Sequence, residues 1–220
     1  MRAEGLNVSP YELPDAALLQ TSEIAAQCMV WRPERTVVVI GKGSDPALEV
    51  DMAETETDAV SVLRRATGGC AVVLSPEMLV ASFAILHDFQ LPSKEYFHIF
   101  NSLIIHALAR QGVARLEHRG ISDIAIHGRK IAGTAIYRNR RMIFFHAIIN
   151  VAGSTHLMEK YLKMPPRVPD YRDGRPHSAF VTSLAEHGHT LDETRFEHDL
   201  QEGFTAALPE LMPAADGAKP

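Results

Sequence analysis

Short apolar runs of strand length alternate with polar turns along most of the chain. Five consecutive β-forming residues at 36–40, ended by Gly41-Lys42-Gly43, predict the clearest strand. The runs at 129–137 and 142–151 are separated only by the polar segment 138–141, and this spacing predicts an antiparallel pair of strands. The other segments with strand patterning are 59–63, 79–86, 114–118, 121–126, 129–137 and 142–151.

Apolar residues recur at helical spacing in a second set of segments. The longest predicted helices are 14–27, 93–110 and 191–208, and shorter ones are expected at 45–54 and 156–162. Asp45 followed by Pro46 predicts a capped N-terminus for the helix at 45–54. By contrast, residues 164–177 contain four prolines without periodicity, so we expect a long loop that is either functional or a connector.

Strands joined by hairpins dominate the middle of the chain, and regular β-α-β alternation is not found there. This arrangement predicts an α+β fold, with mixed and antiparallel sheets flanked by helices. We expect one domain over residues 1–208, a frayed tail over 209–220, and no C-terminal accessory domain.

Composition narrows the class of protein without naming a function. The 220 residues are 46% hydrophobic and 22% charged, with a net charge of −5, as in ordinary soluble globular proteins. This charge gives no reason to expect binding to nucleic acid or to an anionic membrane, and no apolar run approaches the length of a membrane span. Cys28 and Cys70 form no CxxC pair, so reduced thiols and a cytoplasmic location are expected.

The first segment with chemical potential is the glycine-rich turn at 64–72, Arg-Arg-Ala-Thr-Gly-Gly-Cys-Ala-Val. Consecutive glycines let backbone N–H groups converge on an anion, and Arg64 and Arg65 carry forked donors suited to phosphate or carboxylate. Because neighbouring strand residues face opposite sides, only one of these arginines should point into a given site. A plain glycine turn with solvated arginines is an equal alternative.

The second segment is the predicted hairpin at 122–135, in which Lys130 follows a Gly128-Arg129 turn and precedes small residues. A lysine so placed can reach into a cleft, and its compact ammonium suits a phosphate whose charge grows during nucleotidyl transfer. Asp123, seven residues earlier on the facing strand, could hold this lysine or a Mg²⁺ ion. Taken alone, an exposed basic hairpin remains the simpler interpretation.

In their order and spacing, the two segments and their neighbours resemble the lipoate–protein ligase A family, within the superfamily shared with biotin ligases and lipoyl/octanoyl transferases. The resemblance covers residues 29–184, about seven-tenths of the chain. The matching segments are 30–33, 37–41, 64–69, 122–123, 128–135, 145–146 and 181–184.

The resemblance implies the catalytic-domain fold of these ligases and their two-step reaction. Lipoate or octanoate would be activated with ATP and Mg²⁺ to an acyl-adenylate such as lipoyl-AMP. The acyl group would then pass to a lysine of a lipoyl carrier domain, such as those of 2-oxoacid dehydrogenase E2 subunits or the glycine-cleavage H protein. The reaction needs proximity and electrostatic stabilisation but no covalent enzyme intermediate.

The same resemblance implies roles for individual residues. Lys130 would be the catalytic lysine, Asp123 would face the adenylate or a Mg²⁺ ion, and His146 would lie close to the acyl-adenylate. The remaining residues implied to bind substrate or ATP are Arg64 or Arg65, Thr67, Gly68, Gly69, Cys70, Ala71, Gly133, Thr134 and Ala135.

Several departures from the family pattern leave alternatives open. Cys70 stands where a third glycine is usual, 73–75 replaces an aromatic-His-Asp run, and Ala147 replaces a glycine. A separate accessory chain could supply what the larger ligases carry in their C-terminal domain. One alternative is an ATP-independent lipoyl or octanoyl transferase that uses Cys70, whose pKa the neighbouring arginines and glycine turn could lower. Another is a non-catalytic homologue that binds the ligand or the carrier domain.

Overall fold

The computed structural model of the chain describes residues 7–20, 24–87 and 91–213. Ten strands and six α-helices are found in these segments. The strands are β1 (Val8–Pro10), β2 (Ala26–Trp31), β3 (Val37–Ile40), β4 (Ser61–Arg64), β5 (Val72–Leu74), β6 (Met78–Leu86), β7 (Leu116–Arg119), β8 (Asp123–Ile126), β9 (Arg129–Arg138) and β10 (Met142–Asn150). The helices are α1 (Pro46–Glu49), α2 (Met52–Thr57), α3 (Ser93–Ala109), α4 (Thr155–Tyr161), α5 (His177–Phe180) and α6 (Glu193–Leu211).

The larger sheet contains six antiparallel strands in the order β2-β6-β10-β9-β8-β7. Helices α3 and α6 pack against it and bury a core rich in aromatic rings. Phe83 on β6 stacks on Phe100 of α3 at 4.8 Å between ring centroids and meets Phe204 of α6 at 5.0 Å. Such ring pairs add about 0.5–1.5 kcal/mol each beyond their buried area, so this cluster fixes the helices on the sheet.

The smaller sheet has the order β1-β4-β3-β5, with β3 parallel to β4 and antiparallel to β5. The predicted strand at 36–40 is confirmed as β3, and all four of its residues are buried because it lies inside the sheet. Asp45 caps α1 as predicted, accepting a hydrogen bond from the Ala47 N–H at 3.0 Å. The two sheets and their helices confirm the α+β class.

The prediction of a helix over residues 14–27 is wrong. A 3-10 helix spans Pro14–Leu19, residues 21–23 lie outside the described part of the chain, and Ala26–Trp31 is strand β2. The apolar spacing suits a helix, but pairing of β2 with β6 over its whole length satisfies the backbone and outweighs local preference. Cys28 therefore lies in this strand.

Helix α6 continues past the predicted end at 208, so that Pro209 lies inside it. Leu211, fully buried in the larger core, holds this last turn in place although Pro209 cannot donate a backbone hydrogen bond. Residues 214–220 lie outside the described segments, so the predicted tail is described only up to residue 213. Within the described residues, no helix combines the length and the apolar character needed to cross a membrane.

Candidate functional site

The two segments singled out in the sequence come together where the sheets meet. The glycine turn, residues 65–71, links β4 to β5 of the smaller sheet, whereas the lysine hairpin, residues 123–133, belongs to β8 and β9 of the larger one. The Thr67 hydroxyl lies 3.0 Å from His146 Nε2, and His146 on β10 pairs with Ala135 on β9, the strand that carries Lys130. The structure thus joins both segments into one candidate site.

Lys130 is held by Asp123 in this site. Its Nζ lies 2.7 Å from Asp123 Oδ1, with the lysine side chain 27% exposed and the carboxylate 7% exposed. The other oxygen of Asp123 accepts a hydrogen bond from the Tyr171 hydroxyl at 2.7 Å. Burial, together with the Asp123 charge, raises the pKa of Tyr171, so the phenol stays protonated as a donor. The lysine ammonium is therefore anchored and still partly accessible to a ligand.

An irregularity in the β8–β9 ladder explains why Gly133 lies beneath the tip of Lys130. Asp123 pairs with Gly133, but a register shift after Ile124 places Lys130 opposite Ala125. This β-bulge breaks the strict alternation of faces, and the tip of Lys130 folds back over Gly133. A Cβ built on Gly133 would lie 2.8 Å from both Cε and Nζ of Lys130, so the glycine provides the space.

The hairpin turn that precedes Lys130 also depends on its sequence. His127 and Gly128 both adopt positive φ, 50° and 72°, as the two central residues of a tight β-hairpin do. Further along β9, Thr134 bonds to the Ser122 carbonyl through both its hydroxyl and its N–H, and Ala135 is buried opposite His146. Of the three small residues predicted to bind ligand, Gly133 is therefore the one in contact with the lysine side chain.

The two predicted arginines bind backbone carbonyls. Arg65 is 4% exposed and donates to the carbonyls of Val39 at 3.1 Å, Gly68 at 2.8 Å and Cys70 at 2.9 Å. Burial lowers its pKa to about 10, which leaves it charged at neutral pH. Half-buried Arg64 donates through Nη1 to three carbonyls of the loop at 41–44. That one of the two lines a ligand pocket stays a prediction, and both shape the turn.

Another close contact seats the glycine turn on the loop after β3. A Cβ on Gly41 would lie only 2.0 Å from the Gly69 carbonyl oxygen, so this approach requires glycine at position 41. Ser44 Oγ donates to the same carbonyl at 3.2 Å, and the Lys42 N–H donates to the Thr67 carbonyl at 2.9 Å. These bonds leave Gly68 and Gly69 exposed at the surface of the turn.

Cys70 is not an activated thiol. Its Sγ faces the Arg167 carbonyl at 3.6 Å, and its pKa is raised by burial and by the nearby Glu49 carboxylate. The possibility that the arginines and the glycine turn lower this pKa is not supported, because the shift is in the opposite direction. Buried Glu49 also accepts the Ala71 N–H at 2.5 Å, a donor that the turn was expected to offer to a ligand.

His146 is placed in the interior by residues that the sequence did not point to. Its Nδ1 lies 3.4 Å from Asp15 Oδ2, and Asp15 also accepts hydrogen bonds from Tyr11 and Ser82, each at 2.7 Å. His146 is 2% exposed and Asp15 is fully buried. Asp15 is 131 residues from His146, and Tyr171 lies in the proline-rich loop, so no local motif could have identified either.

A Mg²⁺ ion held by Asp123 does not fit the residues present, because both carboxylate oxygens are already engaged by Lys130 and Tyr171. Within the described part of the chain, the residues that could share a metal ion are His198, Asp199 and Glu202 on α6. There Arg110 forms ion pairs with both acidic side chains and Arg195 lies 3.8 Å from Asp199, so both carboxylates already face cations.

Comparison with known proteins identifies the family. Residues 11–205 match the lipoyl protein ligase A/B catalytic domain, and the chain therefore belongs to that family. It is 31% identical over 123 residues to lipoate-protein ligase LplJ of Bacillus subtilis, covering 56% of this chain and 36% of the relative. It is 27% identical over 203 residues to lipoate-protein ligase A of Psychrobacter cryohalolentis, covering 87% and 58%. The chain thus spans less than two thirds of the length of these relatives.

Solved structures agree on the fold. A chain from the archaeal lipoylation system of Thermoplasma acidophilum, a bipartite lipoate protein ligase and its E2 lipoyl domain, is similar with a TM-score of 0.73 at 18% identity. That similarity covers 91% of this chain and 82% of the archaeal one. Lipoate-protein ligase A bound with ATP is similar with a TM-score of 0.67 at 22% identity, covering 83% and 72%. The predicted ligase-like fold and family are confirmed.

Proposed function

We propose that this chain is the catalytic part of an ATP-dependent lipoate–protein ligase. It would activate lipoate or octanoate as an acyl-adenylate and transfer the acyl group to a lysine of a lipoyl carrier domain. Its named relatives are lipoate-protein ligases, and one similar structure contains ATP. The observation that carries the proposal is the anchored Lys130–Asp123 ion pair beside the glycine turn.

In the first step, a carboxylate oxygen of the acid attacks the α-phosphorus of ATP, and the bond to the departing pyrophosphate breaks. Negative charge grows on the α-phosphate oxygens, and the Lys130 ammonium is the cation available to stabilise it. Asp123 keeps that ammonium in a fixed direction, which avoids reorganisation during the reaction. Loss of one such donor costs about 2.7–4 kcal/mol, or about 10² to 10³ in rate.

In the second step, the carrier lysine amine attacks the acyl carbonyl, AMP leaves, and an amide remains. This step is carried by proximity, and no covalent enzyme intermediate is required. The proposed partners are lipoyl domains of 2-oxoacid dehydrogenase E2 subunits or the glycine-cleavage H protein. Mg²⁺ would enter with the ATP phosphates and supply charge neutralisation, because Asp123 does not offer it a vacant oxygen.

Lipoate-dependent pyrophosphate release tests the first step, with Lys130→Ala as the variant. We expect a loss of at least about 10² in kcat. Lys160 supplies a matched control, because it forms a partly exposed ion pair with Asp58 at 2.5 Å and belongs to α4, outside the lysine hairpin. Lys160→Ala should stay within about twofold of the wild type, since an exposed ion pair contributes little. Full activity in Lys130→Ala would overturn the proposed mechanism.

Acyl transfer to a lipoyl domain separates the alternatives in the same preparation. Cys70→Ala should retain ATP-dependent transfer, because the Cys70 thiol is not activated. Transfer without ATP, with an acyl thioester on Cys70 detected by mass spectrometry, would instead identify a cysteine-based transferase. Tight binding of lipoyl-AMP without turnover would identify a non-catalytic homologue. Activity that requires a second polypeptide would identify a need for an accessory chain.

A further inference from the structure

A buried chain of hydrogen bonds connects three separate parts of the fold behind the glycine turn. Thr67 belongs to that turn, His146 lies on β10 of the larger sheet, and Asp15 lies in the 3-10 helix near the N-terminus. Their exposures are 1%, 2% and 0%. The bond between Thr67 and His146 at 3.0 Å is a polar link between the two sheets, and Asp15 stands at its inner end.

The partners of Asp15 determine its charge. Tyr11 donates to Oδ1 and Ser82 donates to Oδ2, both at 2.7 Å, so both oxygens act as acceptors. Burial alone would raise the pKa of this carboxyl, but the hydrogen bond and the electrostatic interaction with His146, followed by the hydrogen bonds from Ser82 and Tyr11, bring the pKa below its usual range. An ionised carboxylate can only accept, so the His146 nitrogen that faces it has to carry a hydrogen.

The charge of His146 then fixes the polarity of the whole chain. Burial, with help from the Arg65 charge, lowers the pKa of His146, so the ring is neutral at pH 7. A neutral ring with its hydrogen on Nδ1 has an acceptor at Nε2. The Thr67 hydroxyl therefore donates its hydrogen to Nε2. The Thr67 carbonyl accepts a second hydrogen bond, from the Lys42 N–H.

We propose that Asp15 is a positioning residue for the adenylation step, which acts by fixing the Nδ1–H tautomer of His146 and thereby the direction of the Thr67 hydroxyl that anchors the glycine turn. The inference rests on the proposed function and deepens it, because it assigns a role to a residue that never touches substrate. Arg65 ties the turn to β3 from one side, and this buried chain ties it to β10 from the other.

Asp15→Asn reverses the polarity with almost no change in shape. The amide oxygen can keep the Tyr11 bond at the Oδ1 position, which leaves an NH₂ group facing Ser82 and His146. His146 Nδ1 then has to accept, its hydrogen moves to Nε2, and Thr67 has to accept instead of donate. Ser82→Ala is the matched control, because it removes a bond to the same oxygen without changing what faces His146.

The first measurement is the tautomer of His146, from ¹⁵N-histidine NMR of the full chain. We expect Nδ1–H in the wild type and in Ser82→Ala, and Nε2–H in Asp15→Asn. The second is kcat/KM for lipoate in pyrophosphate release, expected to fall about tenfold in Asp15→Asn, equivalent to about 1.4 kcal/mol, and less than twofold in Ser82→Ala. In a Thr67→Val background, Asp15→Asn should have no further effect, since the hydroxyl through which it acts is gone.

The inference is overturned by Nε2–H in the wild type, or by equal activity losses in Asp15→Asn and Ser82→Ala. If Asp15→Asn does not fold, the His146 tautomer measured in the wild type still tests the inference. A wild type that releases no pyrophosphate contradicts the proposed function. The inference is then judged from the amide shifts of Gly68 and Gly69. A change in these chemical shifts in Asp15→Asn but not in Ser82→Ala supports the positioning role of Asp15. Equal chemical shifts in the two variants contradict that role.

Discussion

Gly133→Ala tests whether the folded-back conformation of Lys130 is needed for catalysis. The new Cβ would stand 2.8 Å from Cε and Nζ of the lysine, whereas carbon atoms in contact are normally about 3.5–4.0 Å apart. The tip of the lysine therefore has to move by about 1 Å, which shifts the ammonium from its present position 2.7 Å from Asp123 Oδ1. A displacement of that size at a reacting centre costs about 10² in rate. Gly133 does not have a positive φ, so the backbone tolerates alanine and the fold should survive.

Lipoate-dependent pyrophosphate release measures this effect, with urea unfolding on the same samples as the test of folding. Gly43→Ala is the matched control, because a Cβ there meets nothing within 4 Å and the position also lacks a positive φ. We expect kcat to fall by about 10² in Gly133→Ala and to stay within twofold in Gly43→Ala. Wild-type kcat in a folded Gly133→Ala protein would refute the idea that this conformation positions the catalytic cation.

Two further predictions concern stability. Gly41→Ala places a Cβ against the Gly69 carbonyl, 2.0 Å away, and should lower the free energy of unfolding by about 1–3 kcal/mol in urea titrations; an unchanged midpoint would show that the turn can move aside freely. Burial and the Arg172 charge lower the pKa of His177 to about 4. Between pH 6.5 and 4 the unfolded chain therefore binds a proton that the folded chain does not, and the free energy of unfolding decreases as the pH falls. Because His177 is partly exposed, we expect a loss of about 1 kcal/mol between pH 7 and 5, and His177→Gln should remove that part of the pH dependence; an equally steep dependence in the variant would exclude His177 as its source.

Strands whose residues are all or nearly all buried were predictable, because their apolar and β-branched side chains are enough to identify them. The β-branched residues of β3 and the apolar run of β6 have few alternatives to a buried strand. Residues 26–27 were different, because the apolar spacing of 14–27 extends a predicted helix over the first two residues of β2. Only the partner strand β6, whose paired residues are 49 to 59 positions away, decides between helix and strand, and that information is not local.

The candidate site was predictable in its two motifs but not in its connections. The distance from Asp123 to Lys130 in the sequence, across a tight turn, makes their pairing accessible to pattern reasoning. The destination of an arginine side chain is not, because Arg65 finds three carbonyl acceptors that exist only after the turn has folded. Asp15 lacks a motif altogether, since its role depends on contacts with residues up to 131 positions away.

The bulge after Ile124 makes chain length itself a determinant of the chemistry. Lys130, opposite Ala125, lies on the face of Asp123, and Gly133 shares that face only because β9 has one residue more than the ladder needs. Without the bulge, a regular ladder that continues from the same turn would place Ala132 opposite Asp123 and Gly133 on the other face, so that a Cβ would stand where the lysine tip folds back, with every functional side chain still present. Single-residue substitutions in this hairpin keep the number of residues constant and would therefore not reveal that the extra residue in β9 is required.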